Sequence, residues 1–452
     1  MKMQEFLNNE CDYIRVDKCE QSNEVLMVFS HVGYPPGKFA MSNELENIPV
    51  TKLYVNCHEN SWYQQGLKGV APSIHETTEL LAGILNQLEP SKVTCVGMSM
   101  GAYAAILFGI KLQCDAVIAF TPELLIGQKH SRSFYLNDLK KYDYQYIQLS
   151  HLIRENIYTK IYAIYGVYDT IDLSFLWLIG DVFVKDELFK AFFLRGGHQV
   201  TRKLDVNNIV KTLIQNGILH DDDIHKEYCL DQHYGIDELL LFREIQRLLL
   251  KKDSQSIYDL LKNHPSAKHI IQLDLQLGTA CIDLKKYSEA ENILLHIAKI
   301  DPNSHLSRHL LGILYFSLKE LGKSKLWYEK ALKIEPNAPT TIFRLGSVEY
   351  ELQNKELAEN YFKRALKLNP KHSKAHFQYG ILLMNDNRFG EAEIHFKNAL
   401  IHEPQNDKYK KHLKMVEVEL SKENLEKEAP KKNNIKKLHQ KCKKWIQIKI
   451  KK

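Results

Sequence analysis

Two patterns of apolar spacing divide this chain. Up to about residue 220, short β-branched or aromatic runs lie between polar residues or glycines. They predict strands at Val25–Ser30, Lys52–Cys57, Lys92–Gly97, Asp115–Phe120, Lys160–Gly166 and Phe189–Leu194. Between several of them apolar residues recur three and four apart, predicting helices at Ile74–Leu88 and Tyr103–Lys111, with Asn207–Asn216 after the last strand. Such alternation predicts a mainly parallel sheet covered on both faces. Beyond residue 235 the apolar spacing is helical.

The helical half repeats. Gly278, Gly312, Gly346 and Gly380 are 34 residues apart, and Pro302, Pro336, Pro370 and Pro404 keep the same step. So do the small residues Ala290, Ser324, Ala358 and Ala392, and the large ones Leu294, Tyr328, Phe362 and Phe396. Residues 271–404 therefore resemble four tetratricopeptide (TPR) repeats, each a pair of antiparallel helices. Small residues belong where the helices cross, the large one fills the gap beside them, and proline ends the second helix. One repeat cannot bury its apolar face alone, so the four are expected to stack as a solenoid. Residues 235–265 read as a degenerate helix pair capping it N-terminally. Tyr409, Leu413, Val416 and Leu420, at helical spacing, predict a C-terminal capping helix over 405–422.

The resemblance also implies a concave groove lined by the fifth and twelfth position of each repeat. Leu275, His309, Phe343 and Phe377 occupy the fifth; Ile282, Phe316, Tyr350 and Met384 occupy the twelfth. The leading groove candidates are Leu275, His309, Phe316, Phe343, Tyr350 and Phe377. They would favour an apolar or aromatic protein or peptide partner, such as a docked helix. The alternative for several of them is ordinary inter-helix core.

In the first half, the third expected strand runs straight into Gly97-Met98-Ser99-Met100-Gly101 and a helical AYAAILFG. A G-x-S-x-G between strand and helix is the context in which a serine is held on a sharp turn with its hydroxyl exposed. A side chain at Gly97 or Gly101 would clash there. A P-loop is excluded, because its lysine and spacing are missing. A serine nucleophile needs a base and an orienting acid, in the chain order serine, acid, histidine. Asp169 follows the strand KIYAIYG and His198 follows KAFFLR, each just past the carboxyl end where such sheets place their sites. Asp172, one turn on, is the alternative acid.

Residues 1 to about 220 thus resemble a small α/β-hydrolase domain, with elbow GMSMG, acid loop YGVYD and histidine loop GGH. The resemblance implies Ser99, Asp169 and His198 as a triad, and an oxyanion hole formed by the Met100 N–H and a second N–H from the loop Ser30–Gly37. Val32 intervenes where the family has a direct His-Gly pair, so either Val32 or Gly33 is the second donor. His31 reads as a structural partner for neighbouring carbonyls. Met98, Met100 and Trp177 would suit an apolar acyl pocket or simple packing. His198 would take the Ser99 proton as it attacks an ester or thioester carbonyl, giving an acyl-enzyme with no metal or organic cofactor. The acyl group would pass to water in a hydrolase or to a hydroxyl in an acyltransferase, and a loose likeness to bacterial enzymes that acylate or deacylate surface glycans keeps the second outcome open. A scaffold with an inactive hydrolase-like domain is the reading from a different class.

Composition sets the remaining bounds. The 452 residues predict two to four domains: 1–222, a linker and degenerate repeat at 223–270, the repeats at 271–404, the cap at 405–422, and a linker with tail at 423–452. The 1–222 domain is expected to fold alone. No apolar run approaches the roughly 20 residues that span a bilayer, no leader is visible at the first residues, and the eight cysteines include no C-x-x-C. These point to a cytoplasmic protein without a disulfide framework or zinc site. Residues 431–452 hold ten lysines and no acid; subtracting these from the net +6 leaves 1–430 at −4. The basicity belongs to this tail. Within it Ile435, Leu438, Cys442 and Trp445 recur at helical spacing, suiting a basic helix lying on an anionic membrane surface, each lysine contributing about 1 kcal/mol. A solvated tail, or non-specific binding of nucleic acid, is the alternative. The membrane version predicts that full-length protein sediments with anionic liposomes at low salt, and that deleting 431–452 or raising salt releases it. Equal sedimentation of both proteins contradicts it.

Overall fold

The computed structural model describes residues 11–57, 61–127, 133, 146–166, 170–180, 187–194, 204–220, 236–267, 270–428 and 440. The chain divides into two compact units, Met1–Ile293 and Leu294–Lys452. Asp169, His198 and, apart from residue 440, the basic tail 431–452 lie outside the described residues. Among those described, no helix is long and apolar enough to cross a membrane.

The first unit is built on one sheet of β1 (Ile14–Asp17), β2 (Glu24–Phe29), β3 (Thr51–Val55), β4 (Lys92–Met98), β5 (Ala116–Phe120), β6 (Lys160–Gly166) and β7 (Phe189–Leu194). Their spatial order is β1-β3-β2-β4-β5-β6-β7. All neighbours are parallel except β1, which pairs antiparallel with β3, so the sheet is mixed. The six strands from β2 on lie within two residues of their expected limits. β1 was not expected: it is four residues long, IRVD, and half of it is polar.

Helices follow in order: α1 (Ile74–Leu88), α2 (Met100–Lys111), α3 (Ser150–Glu155), α4 (Thr170–Ser174), α5 (Val206–Asn216) and α6 (Ile236–Lys251). Alternate residues of the central strands serve two cores, because strand side chains point to opposite faces. Val96, Ile118, Ile164 and Phe192 cluster with Ile209, Val210 and Leu213 of α5. Cys95 and Val117 face the other way, onto α2, where a β-carbon on Gly109 would lie 2.5 Å from Val117. Helix α2 is buried from Met100 to Ile110, which is why its sequence is apolar all round. The Lys92 ammonium donates to the carbonyls of Leu213 and Ile214, closing the last turn of α5.

Helix α6 packs on the next helix, Ser254–Lys262, as a helix pair does, and it has further partners earlier in the chain. It packs on α4 and on the 3-10 turn Leu176–Ile179, with the Arg243 guanidinium 3.9 Å from the centroid of the Trp177 ring. Leu239, Phe242 and Ile245 are fully buried. The sheet-bearing unit thus uses a helix from beyond residue 222. Periodicity reveals that a helix has an apolar face, not what covers it. After α6 come α7 (Ser254–Lys262), which packs against α8 (Ile271–Asp283), and α9 (Tyr287–Ile300).

The second unit continues as α10 (His305–Ser317), α11 (Leu321–Ile334), α12 (Pro339–Glu351), α13 (Lys355–Leu368), α14 (Ser373–Asn385), α15 (Phe389–His402) and the cap α16 (Asp407–Glu428). Each packs against the next. The repeat's glycine has a steric reason. A β-carbon on Gly312, Gly346 or Gly380 would lie 2.5, 2.9 or 2.7 Å from the ring of Tyr328, Phe362 or Phe396. Those rings are at most 1% exposed and cannot swing away. The turn inside each repeat has its own 34-residue signature. Lys285, Lys319, Gln353 and Asn387 take left-handed φ of 60°, 63°, 67° and 58°. The next amide then reaches back five residues, as in Lys286 N–H to Cys281 C=O at 2.8 Å and Arg388 N–H to Leu383 C=O at 2.9 Å. Gly346→Ala or Gly380→Ala should cost about 1–3 kcal/mol by overpacking, measured as a lower urea midpoint of the full chain; unchanged midpoints contradict the steric account.

Candidate functional site

Because β2, β4, β5, β6 and β7 run parallel, their carboxyl ends share one edge of the sheet. Ser99 sits there between β4 and α2 with φ 53° and ψ −115°, a region that an L-residue enters only under strain of about 1–3 kcal/mol. Two close approaches hold it. A β-carbon on Gly97 would lie 2.2 Å from the Gly101 carbonyl, and one on Gly101 would lie 2.2 Å from the Phe29 oxygen. The Ser99 N–H donates to the Phe120 carbonyl at 2.9 Å, and the Ser99 carbonyl accepts from Tyr103 N–H at 3.0 Å. The Ser99 hydroxyl makes no capping bond to α2 and the residue is 7% exposed. Met100 is the first residue of α2, so its N–H lies at the positive end of that helix. Its side chain packs 3.7 Å from the Cys57 thiol.

The neighbouring edge positions are strained or buried too. Thr121, after β5, has φ 48°, unusual for a β-branched residue. Its N–H donates to Ile164 C=O at 2.7 Å. Glu123 is 1% exposed and accepts from Ser133 N–H at 3.2 Å. Asp172, the alternative acid, is 1% exposed in α4. Burial, with Asp172 close by, holds the Tyr165 phenol well above its ordinary range. Asp169 follows β6 and His198 follows β7 in the chain, outside the described residues, so of the expected triad Ser99 alone is described.

The loop after β2 begins against the Ser99 turn, since Gly101 touches Phe29 and Ser30. Val32 is 44% exposed and Gly33 has φ 94°. His31 Nδ1 contacts the Val32 carbonyl at 3.0 Å and its ring stands edge-on to Tyr34, 4.7 Å away, a local structural role. Two residues that no motif marks hold this loop. Asn56 and Tyr63 are 1% and 0% exposed, and their side-chain dipoles end on loop carbonyls. A lone asparagine past a strand resembles any turn residue, so only the fold reveals it.

In the second unit and the repeat before it, the fifth positions are core. Leu275, His309, Phe343 and Phe377 are each 9% exposed or less. Phe343 lies 6.0 Å from Phe362, and Phe377 stacks 4.5 Å from Tyr409. The twelfth positions Phe316, Tyr350 and Met384 are half-buried and reach the surface. Met384 joins Met415 and Val418 of α16 in an apolar recess rimmed by Lys411, Lys414 and Glu419.

The tetratricopeptide repeat family profile matches residues 275–304, 307–338 and 343–407. The C-terminal region therefore carries TPR repeats, a class of protein-interaction module. No curated protein matches the chain. Among solved structures it is similar to TTC0263, a TPR protein of Thermus thermophilus, at 15% identity over 39% of this chain and 96% of that one, with a TM-score of 0.36. MamA 41-end from Desulfovibrio magneticus is 20% identical over 37% and 96%, TM-score 0.31. The Arabidopsis OM64 TPR domain is 24% identical over 25% and 95%, TM-score 0.25.

His309 carries a measurable consequence of its burial. Its Nδ1 lies 2.9 Å from Thr341 Oγ1, and burial, helped by His305 and Arg344, pushes the imidazole down to about 3. Burial beside His376 pushes His395 down to about 4. An unfolded histidine titrates near 6.5. The unfolded chain therefore takes up protons that the fold refuses, and stability present above pH 6.5 is lost as pH falls toward 4. Urea midpoints should drop over that window, with a shallower drop in His309→Gln; identical slopes contradict this.

Proposed function

We propose that this chain recruits a protein or peptide partner through its repeats and that its N-terminal unit acts on an ester or thioester through Ser99. The recruiting half rests on the matched repeats and their half-buried twelfth positions Phe316, Tyr350 and Met384. It stands by itself: a scaffold whose N-terminal unit does no chemistry accounts for the repeats equally well.

The catalytic half rests on one observation, the strained Ser99 between Gly97 and Gly101 at the edge of the sheet where the parallel strands β2 and β4 to β7 end. Strain of that kind persists only where surrounding packing imposes it, and it turns the hydroxyl out of the helix it precedes. In this reading the N-terminal unit is an α/β-hydrolase domain. His198 accepts the Ser99 proton as the hydroxyl oxygen attacks the acyl carbonyl, and Asp169 fixes the imidazole tautomer. The tetrahedral oxyanion rests on Met100 N–H and a donor from Val32 or Gly33. Collapse expels the alcohol or thiol, protonated by His198, and leaves an acyl-Ser99 ester. Water or an acceptor hydroxyl, as on a glycan, then takes the acyl group.

Turnover of p-nitrophenyl esters by the full chain tests the catalytic half. Ser99→Ala and His198→Ala should each lower kcat by several orders of magnitude, since triad members act as a unit. Asp169→Asn should be severe and Asp172→Asn mild. The reverse order of the two aspartates moves the acid to Asp172 and leaves Ser99 in place. Folded wild type without Ser99-dependent turnover leaves the scaffold reading.

A further inference from the structure

The sheet ends at Ser30 in an unusually complete polar grip. The Ser30 N–H donates to the Val55 carbonyl at 2.9 Å. Its hydroxyl oxygen accepts from Ala40 N–H at 3.0 Å. Its carbonyl accepts from the Tyr63 hydroxyl at 3.0 Å, a proton shared with Val55 C=O at 3.0 Å. Tyr63 itself is fully buried, edge-on to Phe29 of β2 and Phe108 of α2 at 5.8 and 6.2 Å. Its φ is 60°, and that of Trp62 before it is 55°. Two bulky residues in succession in left-handed conformation are kept only where something depends on their placement or packing leaves no choice.

Asn56 grips the other end of the same loop. Its amide N–H groups donate to the carbonyls of Lys38 at 2.9 Å, Pro35 at 3.1 Å and Tyr34 at 3.3 Å. Its carbonyl oxygen accepts from Cys57 N–H at 2.8 Å, which fixes which way the amide faces. Asn56 directly follows β3, Tyr63 comes further along the chain, and both reach the segment that follows β2. That loop begins where Gly101 meets Phe29 and Ser30, beside Ser99.

We propose that Tyr63 and Asn56 are positioning residues of the Ser99 site, holding the 31–37 loop at the distance from which it supplies the oxyanion donor. The inference rests on the Ser99 reading and deepens it. Neither side chain touches a reacting atom. They act through Ser30 and the carbonyls of residues 34, 35 and 38. A donor about 1 Å out of place weakens stabilisation of the tetrahedral state far more than binding of the ground-state ester.

The test is steady-state hydrolysis of p-nitrophenyl butyrate by full-length wild type, Ser99→Ala, Tyr63→Phe and Asn56→Asp, with thermal melts to certify folding. Folded Tyr63→Phe and Asn56→Asp should each lower kcat about tenfold or more while KM stays within about twofold. Wild-type kcat in either folded variant, or a change confined to KM, overturns the proposal and leaves Ser99 as nucleophile. Wild type without Ser99-dependent turnover overturns both. Tyr63→Phe removes one oxygen and leaves the ring packed, so it decides the matter if Asn56→Asp fails to fold.

Discussion

The carboxyl edge of the sheet depends on one close approach, the backbone of Gly101 against both Gly97 and the Phe29 carbonyl. Any β-carbon at either glycine would sit 2.2 Å from backbone atoms that cannot yield. With both absent, α2 begins directly at the end of β4, and Ser99 is left at φ 53° on the turn between them. The same approach brings the first residue of the loop after β2 against the start of α2. Ser99, Met100 and that loop are therefore neighbours for a reason of packing that precedes any chemistry.

The repeats obey an analogous rule with a side chain as the partner. Glycine on the first helix of a repeat admits the aromatic ring of the second, and the left-handed residue after the first helix sets the reversal between them. In Gly312's repeat the crossing is also hydrogen-bonded, Ser324 Oγ–H to Gly312 C=O at 2.8 Å. Local closure of this kind makes each repeat's stability largely its own plus that of its neighbours, so a change at one crossing is felt nearby first.

Much of this was legible in the sequence because it is carried by short-range patterns. The 34-residue step predicts the solenoid, and short β-branched or aromatic runs bounded by polar residues or glycine locate β2 to β7 within two residues. The glycines around Ser99 declared the turn by their spacing. The misses share a physical origin, since each turns on a long-range contact. β1 is a strand only because β3 offers an antiparallel edge. Helix α6 shows an apolar face, yet only the fold says that α4 covers it. Fifth-position residues such as Phe343 and Phe377 look like groove aromatics until the facing rings of Phe362 and Phe396 enclose them. Asn56 and Tyr63 carry no motif at all, because a buried anchor is defined by the carbonyls it reaches.

The measurement that bears most directly on the account is peptide-level mass spectrometry of the folded full-length chain after reaction with a fluorophosphonate. The expected result is a single phosphonyl adduct on the peptide bearing Ser99, abolished in Gly101→Val, where the new side chain would collide with the Phe29 carbonyl and displace the turn. A folded protein that takes no adduct, or takes it on another serine, would contradict it.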